Sequence, residues 1–420
     1  MDSLLESVAK RLFLTTLSGL REGSLELICG GEIREFGVPG AAPRATLCVH
    51  RDRFFRRAVF GGDIGIGEAC MDGDWSSPDP VAVIRLAVRN LDAFEQSHRW
   101  LGAAAGLLDR LRHRARQNSI AGSRRNIRAH YDLSNDFFRL FLDAGMMYSC
   151  AYYETPDDSL ETAQSQKLDR ICRKLDLQPC DRVLEIGTGW GAFAEHAVRH
   201  YGCHLTTTTI SREQHDFAQR RFERLPGRVE LLLEDYRHLP ERLQPESFDK
   251  LVSIEMFEAV GLEFYDQFFG TCDRMLVPTG SMLIQTITMN ERKFPAYQRR
   301  TDWIQKYIFP GAELASVTEV LRSLTRATSL GLYHLEDIGL HYVRTLRAWR
   351  ERFHAAMDQV RALGFDERFC RMWDFYLVYC EGAFAERHVG DVQLVLSKAR
   401  AAMPGIIGEA ALSAAPGAAS

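Results

Sequence analysis

The sequence of 420 residues lacks several features that would assign its class at once. Its ten cysteines include no Cys-x-x-Cys pair, which argues against a zinc ribbon or a disulfide scaffold and fits a reducing compartment. No run of roughly 18 apolar residues is present, so no segment is predicted to span a bilayer. The amino terminus lacks the basic start of a signal peptide, because Asp2 and Glu6 precede its first basic residue. We therefore expect a cytoplasmic protein.

The composition also has no excess of positive charge. Lys and Arg number 52 against 56 Asp and Glu, a formal net charge of −4, which argues against a polycationic nucleic-acid-binding protein. A hydrophobic fraction of 46% with 26% charged residues excludes wholesale disorder. The length predicts two domains, or one large domain with an appendage.

The pattern of residues changes along the chain. Residues 1–108 mix helical and strand-like periods and predict a small α+β domain. From residue 181 onward, apolar strands alternate with helical segments, which predicts a doubly wound parallel α/β sheet in a larger domain over residues 129–400. Residues 401–420 are rich in Ala, Gly and Pro and are expected to form a flexible tail.

An arginine-rich linker, residues 109–128, separates the two predicted domains. Its arginines stand at positions 110, 112, 114, 116, 124, 125 and 128. A solvated linker is the simplest interpretation of this pattern. A cationic strip that faces anionic lipid is the alternative, and nucleic acid is the least favoured partner because few aromatic residues are interleaved.

A glycine-rich turn follows the first strand of the predicted α/β sheet. Glu185 precedes Gly187, Gly189 and Gly191, and a helical segment follows directly. Glycines at such a place permit a tight turn and let backbone N–H groups approach a ligand. Their spacing differs from the Gly-x-Gly-x-x-Gly of dinucleotide sites, which disfavours a dinucleotide-dependent enzyme. A purely structural turn is the remaining alternative.

This pattern resembles that of class I S-adenosylmethionine-dependent methyltransferases, which implies a Rossmann-like fold and S-adenosylmethionine as cosubstrate. These enzymes usually hold the ribose with an acidic residue at the end of the second strand. Thr209 stands there in this sequence, with Gln214 close by, so a hydroxyl and an amide are expected to take that role. Asp235 and Tyr236 follow the next strand and are expected to contact the adenine as an acceptor and an aromatic wall.

Five further segments resemble the cyclopropane-fatty-acyl-phospholipid synthases and the related mycolic acid methyltransferases. They are AHYDLSNDFFRLFLDAGMMYSCAYYE, SIEMFEAVG, YIFPGAEL, EDIGLHYVRTLRAWRERF and DVQLVLSK. The resemblance implies that a methylene group passes from S-adenosylmethionine to the cis double bond of an unsaturated phospholipid acyl chain. In such a reaction a base removes a proton from a transient carbocation.

The resemblance also implies that a bound bicarbonate is this base. The positions that match its ligands are the backbone amide of Cys150, Glu258, Gln285, the backbone of Ile287, and Tyr342. Tyr148 and Ser149 match family positions that touch the methionine end of the cofactor. Gln285 stands where the better-studied members have histidine, and an amide can donate a hydrogen bond but cannot take up a proton.

Each of these side chains also has an ordinary structural interpretation. Cys150 alone would be a small buried residue, Glu258 a helix cap and Tyr342 part of the core. The aromatic residues that either line an acyl tunnel or belong to the core are Phe137, Phe138, Phe141, Tyr152, Tyr153, Trp303, Phe309 and Trp349.

One short pattern invites a metal-site interpretation. His130, Asp132 and Asn135 are spaced so that they could share an ion. A helix that begins here, capped by Asp132 or Ser134, is the favoured interpretation, and no metal is predicted.

Several rival functions use the same residues. The nearest rival leaves a methylene- or methyl-branched acyl chain, and a small-molecule C- or N-methyltransferase comes next. A non-catalytic lipid-binding or partner-binding relative is disfavoured by the intact glycine turn. We expect peripheral association with the inner membrane face, through the arginines or through Leu4, Leu5, Leu12 and Phe13, with the amino-terminal domain as a possible lipid-binding unit and a homodimer as a possible assembly.

The arginine-rich linker generates a test of membrane association. Replacement of Arg110, Arg112, Arg114 and Arg116 by glutamate is expected to release the protein from anionic vesicles, because each basic residue contributes on the order of 1 kcal/mol near such a surface. Vesicle flotation measures this, with neutral vesicles as the control. Unchanged binding of the variant would contradict the prediction.

Overall fold

Two β-sheets organise the part of the chain that the computed structural model describes, residues 2–98, 133–225 and 227–403. The strands are β1 Ser24–Cys29, β2 Glu32–Gly37, β3 Arg44–Val49, β4 Trp75–Ser76, β5 Arg182–Ile186, β6 His204–Thr209, β7 Val229–Leu233, β8 Phe248–Ile254, β9 Leu276–Met289, β10 Gly331–Asp337 and β11 Val389–Ser397. The predicted linker 109–128 lies outside the described residues, and so does the chain beyond residue 403.

Helices surround both sheets. The α-helices are α1 Asp2–Leu17, α2 Arg53–Met71, α3 Pro80–Arg89, α4 Leu91–His98, α5 Asn135–Arg139, α6 Leu160–Lys174, α7 Ala192–Tyr201, α8 Arg212–Phe222, α9 Leu239–Arg242, α10 Tyr265–Met275, α11 Phe294–Tyr297, α12 Trp303–Tyr307, α13 Val317–Ala327, α14 Gly339–Ala355, α15 Met357–Ala362 and α16 Glu367–Ala385. Short 3-10 turns cover Tyr236–His238, Phe257–Ala259 and Leu262–Phe264. None of the described helices is both long enough and apolar enough to cross a bilayer.

The smaller sheet has the strand order β2-β1-β3-β4. Strands β1 and β2 form a hairpin that turns at Gly30 and Gly31, whose positive φ values of 59° and 84° suit a two-residue turn. Strand β1 pairs in parallel with β3, which places Leu25, Leu27 and Leu47 among the buried residues. This part of the chain is mixed α and β, as its sequence periods predict.

The larger sheet has the order β10-β11-β9-β8-β5-β6-β7. Strand β11 runs antiparallel to both of its neighbours, and the other neighbouring pairs are parallel. The interior strand β5 is buried at four of its five positions, as expected of a parallel strand covered on both faces. The predicted doubly wound α/β fold is confirmed.

The amino-terminal elements pack on α16, the long helix near the end of the described chain. Trp75 meets Phe375 edge to face with ring centroids 6.2 Å apart. Glu386, just beyond α16, accepts hydrogen bonds of 2.6 Å from both Arg85 and Arg89 of α3. One hydrophobic cluster therefore continues from α1 through α16, while the boundaries 1–108 and 129–400 stay predictions.

Candidate active site

The glycine-rich turn joins β5 to α7 at the carboxyl end of the sheet. Gly187, Gly189 and Gly191 all have positive φ values, of 103°, 51° and 86°. The backbone N–H groups of Gly187 and Thr188 both donate to the carbonyl oxygen of Thr208 on β6, at 3.0 and 3.1 Å, which holds the turn against the sheet. Such a turn leaves the first N–H groups of α7 available to a ligand.

The glycines of this turn serve two different purposes. Gly187 and Gly189 line a large cavity, whereas Gly191 is absent from its wall. A Cβ atom at Gly191 would lie 2.7 Å from the ring of Phe222, so this glycine allows α7 and α8 to approach each other. The prediction that all three glycines contact the cofactor therefore fits the first two better than the third.

Glu185, at the end of β5, is buried beside the turn. Its Oε2 accepts a hydrogen bond of 2.6 Å from the Thr207 hydroxyl, and burial raises the pKa of this carboxyl to about 8. The Thr209 hydroxyl donates to Gln214 Oε1 at 3.0 Å, so the two side chains proposed to hold the ribose lie together. Glu185, Thr209 and Gln214 all line the cavity, so a hydroxyl and an amide stand where an acidic side chain is usual.

Asp235 and Tyr236 line the same cavity after β7. Both carboxylate oxygens of Asp235 accept hydrogen bonds from Arg237, at 2.8 and 2.7 Å. Burial alone would raise the pKa of Asp235, but the hydrogen bonds and charge of Arg237 outweigh it and lower the pKa. Asp235 is thus held as an anion with fixed orientation. Oδ1 also accepts from the Arg237 backbone N–H at 3.0 Å, so Oδ2 is the oxygen with a second lone pair for an adenine amine.

Tyr148 and Ser149 border the cavity on its other side. The Tyr148 hydroxyl donates to the Tyr376 hydroxyl at 3.0 Å. Ser149 Oγ accepts from Lys167 Nζ at 2.8 Å, and burial lowers the pKa of Lys167 to about 8 although nearby carboxylates oppose that change. A buried ammonium group therefore fixes the serine that is expected to contact the methionine end of the cofactor.

A half-buried carboxylate, Glu255, directly follows β8 and accepts hydrogen bonds from three parts of the chain. Its Oε1 accepts from the backbone N–H of Cys150 and from Gln285 Nε2, both at 2.8 Å. Its Oε2 accepts from the Tyr342 hydroxyl at 2.5 Å. Burial raises the pKa of Tyr342 well above its usual range, so the phenol remains a donor.

Glu258 stands one turn further on, within the 3-10 turn Phe257–Ala259. Its Oε1 accepts from the Ile287 backbone N–H at 2.5 Å and from the Thr286 hydroxyl at 2.9 Å. Its Oε2 is buried and has no hydrogen-bond partner among the described residues. Burial, followed by the charge of Glu255, raises the pKa of Glu258 to about 7.

Gln285 on β9 is fully buried between charged and amide groups of β11. Its Nε2 also donates to Asp391 Oδ2 at 3.0 Å, and its Oε1 accepts from Gln393 Nε2 at 3.0 Å. Gln393 in turn accepts from Lys174 Nζ at 2.6 Å. Burial, then the charge of Glu255, raises the pKa of Asp391 well above its usual range.

The cavity that joins these groups has a volume of about 1450 Å³. The glycine turn, Glu255 and Glu258 form one part of its wall. Apolar residues of the amino-terminal helices and of α16 form another part, among them Phe13, Val88 and Phe384. The volume exceeds what a single cofactor occupies, so a second, apolar ligand fits beside it.

Comparison with known proteins identifies the family. Residues 118–394 match the family model described as mycolic acid cyclopropane synthetase. The chain belongs to this family. It is 38% identical over 370 residues to tuberculostearic acid methyltransferase UfaA1 of Mycobacterium tuberculosis, covering 85% of this chain and 84% of that protein. It is also 38% identical over 378 residues to the cyclopropane-fatty-acyl-phospholipid synthase of Escherichia coli, covering 86% of this chain and 90% of that protein.

Solved structures agree with the family assignment. The crystal structure of mycolic acid cyclopropane synthase CmaA1 from the same family, complexed with SAH and CTAB, superposes with a TM-score of 0.60 at 33% identity, covering 66% of this chain and 98% of that one. Coclaurine N-methyltransferase, at 18% identity and a TM-score of 0.59, shares the fold. This family member is therefore an S-adenosylmethionine-dependent C-methyltransferase or cyclopropane synthase, and S-adenosylmethionine is its cosubstrate.

The structure divides eight aromatic residues between the two alternatives that the sequence left open, an acyl tunnel and the core. Of the eight aromatic residues proposed for an acyl tunnel, Phe309 lines the cavity. The other seven are outside the cavity wall, and Phe137, Trp303 and Trp349 among them are fully buried in the core. Their size and apolarity decide this, because large rings fill the space between packed helices more often than they line a ligand site.

The start of α5 is a capped helix, as favoured by the sequence. Ser134 Oγ accepts from the Phe137 backbone N–H at 3.3 Å. Asn135 Oδ1 accepts from the Trp190 indole N–H at 2.7 Å, so this side chain orients the tryptophan of the glycine turn. His130 and Asp132 lie outside the described residues. Within the described ranges, no group of His, Cys, Asp and Glu is arranged to hold a metal ion.

Glu255 is the site residue that sequence reasoning missed. Its signal is a second acidic residue three positions before Glu258, directly after a buried strand. Its backbone has a φ of 47°, in the left-handed region that non-glycine residues seldom adopt. The predicted Cys150 contributes its backbone N–H, while its thiol donates weakly to the Ala151 carbonyl at 3.3 Å, and burial raises the pKa of that thiol.

The described residues do not fit a bicarbonate ion in the manner that the resemblance implied. The donors of Cys150, Gln285 and Tyr342 are all directed to the Glu255 carboxylate. The Ile287 backbone N–H is directed to Glu258. A bicarbonate at the same donors would place a second anion against the half-buried Glu255 carboxylate, which electrostatic repulsion opposes.

The two kinds of glycine in the turn can be separated by alanine substitution. Gly191→Ala is expected to destabilise the protein by about 2–4 kcal/mol, because it adds left-handed strain to overpacking against Phe222. Gly189→Ala is expected to destabilise by about 1 kcal/mol, since no atom lies within 4 Å of the added Cβ. Because the new methyl group enters the cavity wall, it should weaken S-adenosylmethionine binding at least about tenfold. Urea unfolding and calorimetry measure the two effects, and a loss of affinity confined to Gly191→Ala would contradict the assignment.

Proposed function

We propose that this enzyme transfers a methylene group from S-adenosylmethionine to the cis double bond of an unsaturated phospholipid acyl chain and forms a cyclopropane ring. The observation that supports this most is a continuous cavity that joins the glycine turn, the carboxyl groups of Glu255 and Glu258, and a long apolar wall. Methyl transfer to an alkene needs a dry site that excludes water from a carbocation. It also needs negative charge near that cation and room for an acyl chain.

The proposed reaction has two steps. The π electrons of the double bond attack the sulfonium methyl group, a C–C bond forms, and the C–S bond breaks with its electron pair left on sulfur. S-adenosylhomocysteine is released and the second alkene carbon becomes a cation. A base then takes a proton from the new methyl group, and the C–H electron pair closes the three-membered ring. The donors that the resemblance assigns to bicarbonate are directed to carboxylates of the chain, so a carboxylate of the chain is the candidate for this base.

A second product is favoured by one specific finding. The chain is as similar to a tuberculostearic acid methyltransferase as to a cyclopropane-fatty-acyl-phospholipid synthase. In the second route, a hydride moves from the methylated carbon to the neighbouring cation before the proton is lost. Loss of a methyl proton then leaves an exocyclic methylene group. Both routes add one CH2 unit and both consume one S-adenosylmethionine.

The substrate is proposed to reach the cavity from a membrane surface. The predicted arginine-rich linker would attract an anionic bilayer, and the apolar wall would receive the acyl chain. We propose peripheral association with the inner membrane face on this basis, with a homodimer as the proposed assembly.

The identity of the product tests the proposed function. The protein, S-adenosylmethionine and vesicles of cis-monounsaturated anionic phospholipid are incubated, and the extracted lipid is examined by proton NMR. Upfield ring-methylene signals are expected, because a cyclopropane shields its own protons. Mass alone would not separate the two routes.

Each other outcome has a definite meaning. Olefinic methylene signals would replace cyclopropanation by the second route. The absence of lipid product while calorimetry shows cofactor binding would contradict an acyl substrate and favour a small-molecule methyltransferase. Failure to bind S-adenosylmethionine would favour a non-catalytic relative.

The apolar wall supplied by α3 generates a prediction about chain length. Val88 is half-buried and lines the cavity. Val88→Trp is expected to lower kcat/KM at least about tenfold on oleoyl more than on palmitoleoyl phospholipid, because the indole shortens the space for the chain. Val88→Ala removes volume at the same position and should leave the longer chain accepted. Equal losses on both chains, or weakened cofactor binding, would contradict an acyl channel at this helix.

A further inference from the structure

The Glu255 carboxylate accepts hydrogen bonds from three of the groups that, by the resemblance, would bind bicarbonate. The backbone N–H of Cys150, the amide N–H of Gln285 and the phenol of Tyr342 all donate to its carboxylate, at 2.8, 2.8 and 2.5 Å. We propose that the Glu255 side chain is the base of this enzyme and that the reaction needs no bicarbonate. This inference rests on the proposed function. The side chain also lines the reaction cavity, so it is accessible to the new methyl group.

The chemistry of the donors supports an anion at this place. Each is a neutral N–H or O–H group, and none of the three interactions gives Glu255 a counter-cation. Hydrogen bonds to the charged form stabilise a carboxylate in a buried site. Bicarbonate and a carboxylate both present two oxygens in the plane of one carbon atom. A side-chain carboxylate can therefore satisfy the same donors without being recruited from solution.

The backbone at Glu255 is held in a conformation that does not favour glutamate. Its φ of 47° costs an L residue about 1–2 kcal/mol relative to the right-handed region, and glycine is the residue that adopts it readily. Its N–H donates to the Gln285 carbonyl oxygen at 2.8 Å, which fixes the peptide. Such strain persists where the surrounding structure imposes it, and it is concentrated at functional sites.

Glu255 also explains how the site works with an amide at position 285. An amide cannot accept a proton, so a relay through this residue is excluded. Gln285 is instead a positioning residue, because its Nε2 donates to Glu255 while its Oε1 is held by Gln393. The step needs a hydrogen-bond donor at this point and a base beside it.

A side chain of the protein accepts the proton that the step releases. A carboxylate oxygen of Glu255 takes the proton from the methyl group, and the C–H electron pair forms the last ring bond. Glu255 becomes neutral, and the proton returns to solvent before the next turnover. Glu258 is less suited to the first transfer, because its pKa of about 7 leaves it partly protonated near neutral pH.

The test compares five proteins, the wild type, Glu255→Gly, Glu255→Gln, Glu258→Gln and a control variant, in buffer freed of carbon dioxide and in buffer with added bicarbonate. The wild type is expected to keep its rate in both. Glu255→Gly removes the side chain at a backbone angle that glycine prefers, and should lose at least about 100-fold in rate without bicarbonate. Added bicarbonate should restore part of that rate. Glu255→Gln fills the same space without a base, and should be as slow with no recovery.

Glu246→Gly is the matched control. Glu246 also has a positive φ, of 50°, but it is exposed and outside the cavity wall. This variant should keep the wild-type rate and show no bicarbonate effect. It separates the backbone effect of a glycine from the loss of the carboxylate.

A binding measurement supplies a readout that does not depend on lipid turnover. The NMR line width of isotope-labelled bicarbonate should show saturable binding to Glu255→Gly and none to the wild type. A wild-type rate that falls without bicarbonate and recovers with it would overturn the inference while leaving the proposed function intact. Full activity of Glu255→Gln alongside an inactive Glu258→Gln would also overturn it. A wild type that makes no lipid product in either buffer would instead contradict the proposed function.

Discussion

The hydrogen bonds to the half-buried carboxylate of Glu255 are the interaction on which the rest of the site depends. It joins the segment at Cys150, strand β9 at Gln285 and helix α14 at Tyr342. These three parts are distant in sequence, and each directs a donor to one anion. Removing the anion would leave three buried donors unsatisfied, which typically costs about 1–3 kcal/mol for each group. The geometry of the site and the stability of this region are thus coupled through one side chain.

Behind the site, a row of hydrogen bonds links a lysine, two glutamine amides and the Glu255 carboxylate. Lys174 donates to Gln393, Gln393 to Gln285, and Gln285 to Glu255. A cation at one end and an anion at the other fix the direction of both amides, and each bond polarises the next. Nearby, Lys167 is a second buried cation and Asp391 a carboxyl whose pKa is raised by burial and by Glu255. In the proposed reaction, negative charge at Glu255 would therefore lie near the sulfonium, while hydrogen bonds to Ser149 and Gln393 hold Lys167 and Lys174 in place.

The sequence predicts the larger sheet and the glycine-rich turn well because both depend on local patterns. Glu185 and the glycines follow a strand and precede a helix, and Thr209 meets Gln214 because they flank one short turn. Glu255 could not be recognised in this way, since its partners are brought together by β9 and α14. For the same reason, the sequence leaves two alternatives open for the aromatic residues. Whether Trp303 lines a cavity or fills the core depends on packing that a sequence pattern does not contain.

A base fixed in the protein does not by itself choose between the two products. Ring closure and methylene formation both remove a proton from the same new methyl group, so Glu255 can serve either one. They differ in whether a hydride moves before the proton leaves, which depends on how the cationic carbons are aligned with that methyl group. In the proposed reaction, the apolar wall at Val88 and Phe384 would align the acyl chain, because these side chains line the cavity. The proposal therefore assigns the choice of product to this wall and the independence from bicarbonate to Glu255.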